Sequence, residues 1–245
     1  RLKARICGVP SPLDGARHFP RFADMEIRLS LLCLAALSAS CGEEEAVVDS
    51  EEAVTPVLDT PGWPDLDDQA TRAEVSAKAL GSAEIERGRD GLYYRKGDRE
   101  PYTGWFAQTH SNGRVRSLLY LSDGLLDGPL RTWHDNGRKE GTVFYKRGSK
   151  EGEQRVWHSS GQEILRSRFK NDQPDGLWLK WYENGKRKEE RVYKQGRLSG
   201  AMSWTPNGVP CPLTEVWRGN GLLVLYKEDG TERRRIRFRD GREVR

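Results

Sequence analysis

Beyond residue 90 the chain alternates apolar and polar residues over short runs, with glycines between them at a fixed interval. Gly104, Gly128, Gly152, Gly176 and Gly200 are each 24 residues apart, as are Gly113, Gly137, Gly161 and Gly185; Gly208 follows after 23 and Gly230 after 22. Trp133, Trp157 and Trp181 keep the same register, continued by Trp204 and Tyr226, and Leu121, Tyr145, Phe169 and Tyr193 form a fourth series. A period of 20 to 50 residues is the mark of a repeat architecture in which each unit buries its apolar face only by stacking on its neighbours.

Each unit reads as two strands and two turns. In the clearest copy, Leu177–Glu183 is a strand, Asn184-Gly185 a turn, Lys188–Tyr193 the return strand, and Gln195-Gly196 opens a further turn that runs to Gly200. Asn-Gly suits a type I′ hairpin, whose two central residues both need positive φ. Asn112-Gly113, Asn136-Gly137 and Asn207-Gly208 repeat the pair, Asp229-Gly230 substitutes for it, and Ser160-Gly161 is the weakest copy. Sequential hairpins predict an all-β fold, an elongated antiparallel meander of about twelve strands spanning roughly 58 Å at ~4.8 Å per strand. Alternation places Leu177, Leu179 and Trp181 on one strand face. The repeating aromatics, Tyr193 among them, read as structural groups packing over the bare backbone of glycines.

The N-terminal part has a different texture. Residues 1–24 mix Pro, Gly and charge without period and read as upstream readthrough or a fragment edge before the first methionine, Met25. Arg28 then precedes the uncharged run Leu29–Ser40, which at 12 residues is short of the ~20 that span a bilayer and fits a signal-peptide core. The run ends Leu37-Ser38-Ala39-Ser40-Cys41-Gly42. It resembles a bacterial lipoprotein signal, residues 25–41, with Ser38 where that family prefers leucine. The resemblance implies lipidation at Cys41 and anchoring by its acyl chains. The other reading is an ordinary secretory peptide cleaved nearby; either one exports the protein, to the periplasm or outside the cell if no lipid holds it.

Composition separates the segments further. Overall the chain is 36% hydrophobic and 32% charged, with a mean hydropathy of −0.79 and 26 glycines, which excludes a multi-span membrane protein and a thick conventional core. Its net charge of +4 conceals an asymmetry: residues 43–90 carry 4 basic and 14 acidic residues, and residues 92–245 carry 31 basic and 20 acidic. Residues 42–90 therefore read as an acidic linker, mostly disordered, with a reach of roughly 40 Å and a short helix within Ala70–Glu86. Residues 91–245 are the repeat domain. Of the cysteines only Cys211 lies in it, so no disulfide framework is expected there.

The unit Gly176-Leu177-Trp178-Leu179-Lys180-Trp181-Tyr182-Glu183-Asn184-Gly185, followed by an aromatic and two more glycines, resembles the bacterial MORN-repeat variant family, and Pro101-Tyr102-Thr103-Gly104-Trp105 looks like its opening unit. The resemblance covers residues 91 to about 241, with the copy around Val209–Leu223 degraded. It implies a platform for protein interaction or lipid association. Many bacterial members are labelled YwqK-family antitoxins, so a partner toxin is a second possibility and a spacer without specific ligand a third.

Candidate chemistry is sparse. His110, His134 and His158 share one repeat position, but equivalent positions two strands apart are ~9.6 Å from each other, too far for one zinc ion. A surface aromatic preference explains them better, since Tyr182 and Thr205 fill the same slot later. No nucleophile elbow, phosphate loop or metalloprotease motif occurs, so neither catalysis, cofactor nor metal is expected. Two basic features remain. Arg114, Arg138 and Lys186 each follow a hairpin glycine and should line one long edge; Arg233, Arg235, Arg237 and Arg239 alternate along one strand and should share a face. They read either as a solvated surface paired with cross-strand glutamates or as a contact for anionic headgroups, envelope polymers or the chain's own acidic linker. Export argues against nucleic acid. The expectation is thus a non-enzymatic envelope lipoprotein that binds a partner protein, toxin or envelope component, or an anionic surface, with its oligomeric state left open.

Overall fold

The computed structural model describes residues 62–244. Cys41, the signal segment and residues 1–24 lie outside the described residues. The elements are helix α1 (Gln69–Lys78) and strands β1 (Leu80–Gly81), β2 (Ile85–Arg87), β3 (Tyr93–Arg95), β4 (Gly104–Thr109), β5 (Val115–Ser122), β6 (Leu125–Trp133), β7 (Lys139–Lys146), β8 (Ser149–Trp157), β9 (Glu163–Lys170), β10 (Gln173–Pro174), β11 (Gly176–Trp181), β12 (Arg187–Lys194), β13 (Arg197–Ser203), β14 (Glu215–Trp217), β15 (Asn220–Tyr226), β16 (Glu232–Arg239) and β17 (Arg242–Val244). From β4 to β17 neighbours in sequence are neighbours in one antiparallel sheet, with β10 pairing on β9 beside β11. The sheet has 15 strands, more than the twelve expected, because β1 joins it in parallel at the β4 edge and short β10, β14 and β17 add to the hairpins. Strands β2 and β3 form a separate hairpin.

Register explains two of the four residue series at once. Gly104, Gly128, Gly152 and Gly176 stand directly opposite Leu121, Tyr145, Phe169 and Tyr193 across their strand pairs. These glycines lie in strands rather than in turns, with φ of +148°, +121°, +79° and +103°. That corrects the expectation of a turn running to Gly200, which sits inside β13 opposite Val192. A side chain at these positions would meet Tyr102 at Gly104, Trp63 at Gly128 and Arg168 at Gly176, and nothing within 4 Å at Gly152.

The turn assignments also change. At Asn112-Gly113, Asn136-Gly137, Asn184-Gly185 and Asn207-Gly208 only the glycine has positive φ. His110 N–H donates to the Arg114 carbonyl at 2.8 Å and Gly113 N–H to the His110 carbonyl at 3.0 Å, which closes a three-residue loop with a left-handed glycine, not a type I′ turn. The two-residue turns with both φ positive lie at the other end of the strands: Asp123-Gly124, Arg147-Gly148, Asn171-Asp172, Gln195-Gly196, Arg218-Gly219 and Asp240-Gly241. Gln195-Gly196 is therefore a complete turn, and β13 begins at once with Arg197.

Both faces of the sheet carry apolar clusters. Phe106, Leu119 and Leu121 on one face pack with Ile85 and Tyr93 of the β2–β3 hairpin. Further along the same face Phe169, Trp178 and Tyr193 stack edge to tilted, followed by Leu198, Ala201, Val216, Leu223, Leu225 and Ile236. On the opposite face Ala107, Leu118 and Trp133 pack against Leu66 and against Val75 and Ala79. Trp63 there lies edge-on to Tyr120 at 4.9 Å, with Trp105 at 6.0 Å.

Residues 62–90, read from composition as part of the disordered linker, are thus folded onto the first strands; the rest of that linker, 42–61, lies outside the described residues. Asp68 caps α1 by accepting the Thr71 N–H at 2.7 Å, and this bond holds its carboxyl below the usual range. A few apolar residues suffice because they all meet the uncovered end of a repeat stack, which needs a cap.

A candidate surface-binding site

The hairpin loops are joined to one another by side chains. Nε2 of His110 lies 2.8 Å from the Trp133 carbonyl and Nε2 of His134 2.9 Å from the Trp157 carbonyl, and the Tyr182 hydroxyl donates to the Trp204 carbonyl at 2.6 Å. A carbonyl only accepts, so each imidazole donates through Nε2. Asn112, Asn136 and Asn184 donate through Nδ2 to the carbonyls of Asp135, Ser159 and Pro206, about 3 Å away in each case. Arg114, Arg138 and Lys186 add bonds to the carbonyls of Asp135, Ser159 and Asn207. The histidine positions and the basic row of one edge are therefore struts between neighbouring repeats. Ser160 breaks the pattern: His158 turns its Nδ1 to the Ser160 hydroxyl at 3.0 Å, and Gln162 bonds the Glu163 carbonyl instead of the next loop. Among the described residues no group of three His, Cys, Asp or Glu could hold a metal ion.

The tryptophan series is covered by cations. Arg72 lies over Trp133 at 5.0 Å, Lys139 over Trp157 at 5.0 Å and Arg187 over Trp204 at 5.5 Å. At Trp181 the equivalent position holds Glu163, and Arg166, bound to Glu163 through two 2.9 Å hydrogen bonds, supplies the guanidinium at 5.8 Å. These rings are occupied by the protein's own cations, as a structural reading requires.

In β16, Arg235 and Arg237 pair with Val224 and Leu222 on one face, whereas Arg234, Ile236 and Phe238 point to the other. Arg233 falls at a register shift. Arg235 is held by Glu232 through two hydrogen bonds of 2.8 and 2.9 Å, which raise the arginine and lower the carboxyl from their usual ranges, and Arg234 pairs with Glu243. Arg237 and Arg239 make no ion pair among the described residues and are exposed.

Those two arginines belong to a larger surface. Leu177, Val192, Gly200, Trp217 and Asn220 stand directly opposite one another in successive strands of one face. Leu177 is 45% and Trp217 38% exposed, and Gly200 has no side chain to fill the space between Val192 and Trp217. In the next row Glu215, Leu222, Arg237 and Val244 are aligned, and Arg239 pairs with Arg242. Leu222, Arg237, Arg239 and Val244 border a depression of ≈ 520 Å³. Exposed Lys194, Arg197 and Arg218 flank the adjoining turns. The result is an apolar strip with arginines and a lysine along its rim and Glu215 in the adjoining row, to which sequence reasoning contributed the β16 arginines and missed Trp217. The available signal was that Trp217 lies outside the register of Trp133, Trp157, Trp181 and Trp204, in the one degraded copy.

Residues 174–195, from Pro174 through β11, its loop and β12, match the MORN repeat variant. A comparison with curated proteins finds no match to this chain. The conclusion is that this chain contains a MORN repeat variant within a longer sheet of like hairpins, which suggests a protein-binding or membrane-associated role.

Proposed function

We propose that the protein is a non-enzymatic, exported platform, lipid-anchored at Cys41 in the bacterial cell envelope, whose C-terminal sheet face seats on an anionic surface. The observation that carries this reading is the exposed Leu177–Trp217 strip bordered by unpaired Arg237 and Arg239. Tryptophan favours the boundary between headgroups and acyl chains, and each cation near an anionic leaflet contributes about 1 kcal/mol. The strip and its rim combine both attractions on one side of the sheet.

Cosedimentation of the full chain with phosphatidylglycerol-containing vesicles tests the surface. Binding should be salt-sensitive, absent with pure phosphatidylcholine, and weakened by Trp217→Ala and by the pair Arg237→Glu and Arg239→Glu. Equal retention on both vesicle types would remove the reading. A saturable protein partner recovered by crosslinking, with no vesicle binding, would replace it with protein docking, the antitoxin or immunity role included. Lipidation is tested separately: Cys41→Ala should abolish lipid labelling and release the protein from membranes.

A further inference from the structure

A second opening lies near the other end of the sheet, between α1 and the first two hairpin loops. It measures ≈ 500 Å³ and is lined by Arg72 and Gln69 of the helix, Arg114 and Asn136 of the loops, and Val115 and Trp133 beneath. Trp133 is 3% exposed and belongs to the cluster with Leu66, Ala107 and Leu118, so the floor is rigid. No carboxylate is among the lining residues.

The two guanidiniums are unequally used. Arg72 lies over the Trp133 ring, with 5.0 Å between its Cζ and the ring centroid, and makes no ion pair among the described residues. A guanidinium carries five N–H donors and takes a carboxylate through two parallel hydrogen bonds. Arg114 donates from Nη1 to the Asp135 carbonyl at 3.2 Å, which fixes its head at the cleft and leaves further donors open. Asn136 is already committed on both sides, to the Ser159 carbonyl and the Arg138 N–H, and only shapes the wall. Its partly buried neighbour Val115 and the exposed Ala73 complete an apolar side.

We propose that this cleft binds a carboxylate attached to a small apolar or aromatic group, with Arg72 and Arg114 on the carboxylate and Val115 and Ala73 against the apolar part. The same chemistry is offered by a free small acid and by the C-terminal residue of a peptide. The volume lies within the usual range of ligand clefts, and rigid positively charged groups on an apolar floor are what orient such an acid.

The test is calorimetric titration of the full chain with N-acetylphenylalanine, its C-terminal amide, and a short peptide ending in phenylalanine with a free carboxylate. The free acid should bind saturably and the amide at least about tenfold more weakly, the loss expected when a charge-assisted bond is removed. Tighter binding of the peptide identifies a peptide C-terminus as the ligand, and equal or weaker binding identifies a free acid. Arg72→Gln and Arg114→Gln should each weaken the free acid about tenfold, with Arg72→Lys intermediate. Ala73→Glu, on an exposed helix position, places a competing carboxylate in the cleft and should abolish binding while the circular dichroism stays unchanged. No binding of either acid, acid and amide binding alike, or unchanged affinity in Ala73→Glu and both glutamine variants would overturn the proposal.

Discussion

Tyr193 lies directly across the β11–β12 ladder from Gly176, whose φ is +103°. The ring also sits 5.5 Å from Trp178, which in turn lies 5.6 Å from Phe169, itself opposite Gly152. The glycine–aromatic pair of one repeat is thereby linked to that of the next, and a chain of low hydropathy builds its core in narrow strips.

The glycines of this series should differ in their tolerance of a methyl group. At Gly128 a Cβ would meet the Trp63 ring at 2.7 Å, whereas at Gly152 it would meet nothing within 4 Å. Both positions have positive φ, so both alanine variants carry a backbone cost of about 1 kcal/mol, to which Gly128→Ala adds displacement of Trp63. Urea midpoints should fall in both and further in Gly128→Ala; the reverse order would contradict the packing described.

The loop at Ser160-Gly161 lacks the asparagine and basic-residue bonds by which the loops at Asn112, Asn136 and Asn184 reach their neighbours, and its His158 lies 3.9 Å from the Glu183 carboxylate of the next loop instead of bonding a carbonyl there. Ser160→Asn together with Gln162→Arg should restore bonds to the next loop and stabilise the protein by about 1 kcal/mol, read as a raised thermal midpoint. Local hydrogen exchange at Glu183–Gly185 should slow in the same variant.

Trp63 covers the first repeats by contact with Trp105, Tyr120 and Phe144. Trp63→Ala should cost about 2 to 3 kcal/mol, somewhat less than loss of a fully buried tryptophan. Exchange protection should drop in β4 to β7 while β15 and β16 keep theirs.

Alkaline stability should depend on Tyr226. Its hydroxyl lies 3.0 Å from the Cys211 sulfur, and this bond, with burial second, pushes the phenol up to about 12. A folded pKa above the unfolded value of about 10 makes the contribution of Tyr226 fall away as pH rises from 10 through 12, while the Cys211 thiol, whose burial is outweighed by the hydrogen bonds that hold it below its usual range, makes a contribution that is lost as pH falls. Tyr226→Phe should flatten the decline of stability between those values; an unchanged profile would show that the contact is idle.

Exposed position and charge make the strip of Leu177 and Trp217 separable from the fold. Trp217→Ala should lower the thermal midpoint less than Trp63→Ala does, since its ring is the more exposed, yet reduce vesicle binding.

Much of this protein is written in one dimension. The 24-residue spacing of Gly104 to Gly176 and of Trp133 to Trp181 determined the meander, because a repeat whose neighbours pair in order needs only local turns. The alternation along β16 likewise put Arg235 and Arg237 on one face. Other features depend on partners far along the chain. Asn112 looks like half of a type I′ pair until the Asp135 carbonyl, 23 residues on, gives its side chain another use. Trp63 and Leu66 look like strays in an acidic segment until the uncovered end of the sheet receives them. Trp217 gains its neighbours Val192 and Leu177 only through successive strand pairings, across the bare backbone of Gly200. Period and strand alternation are local properties of the backbone and could be read from the sequence; turn type and which side chains remain exposed together depend on partners several strands away, and tertiary structure alone decided them.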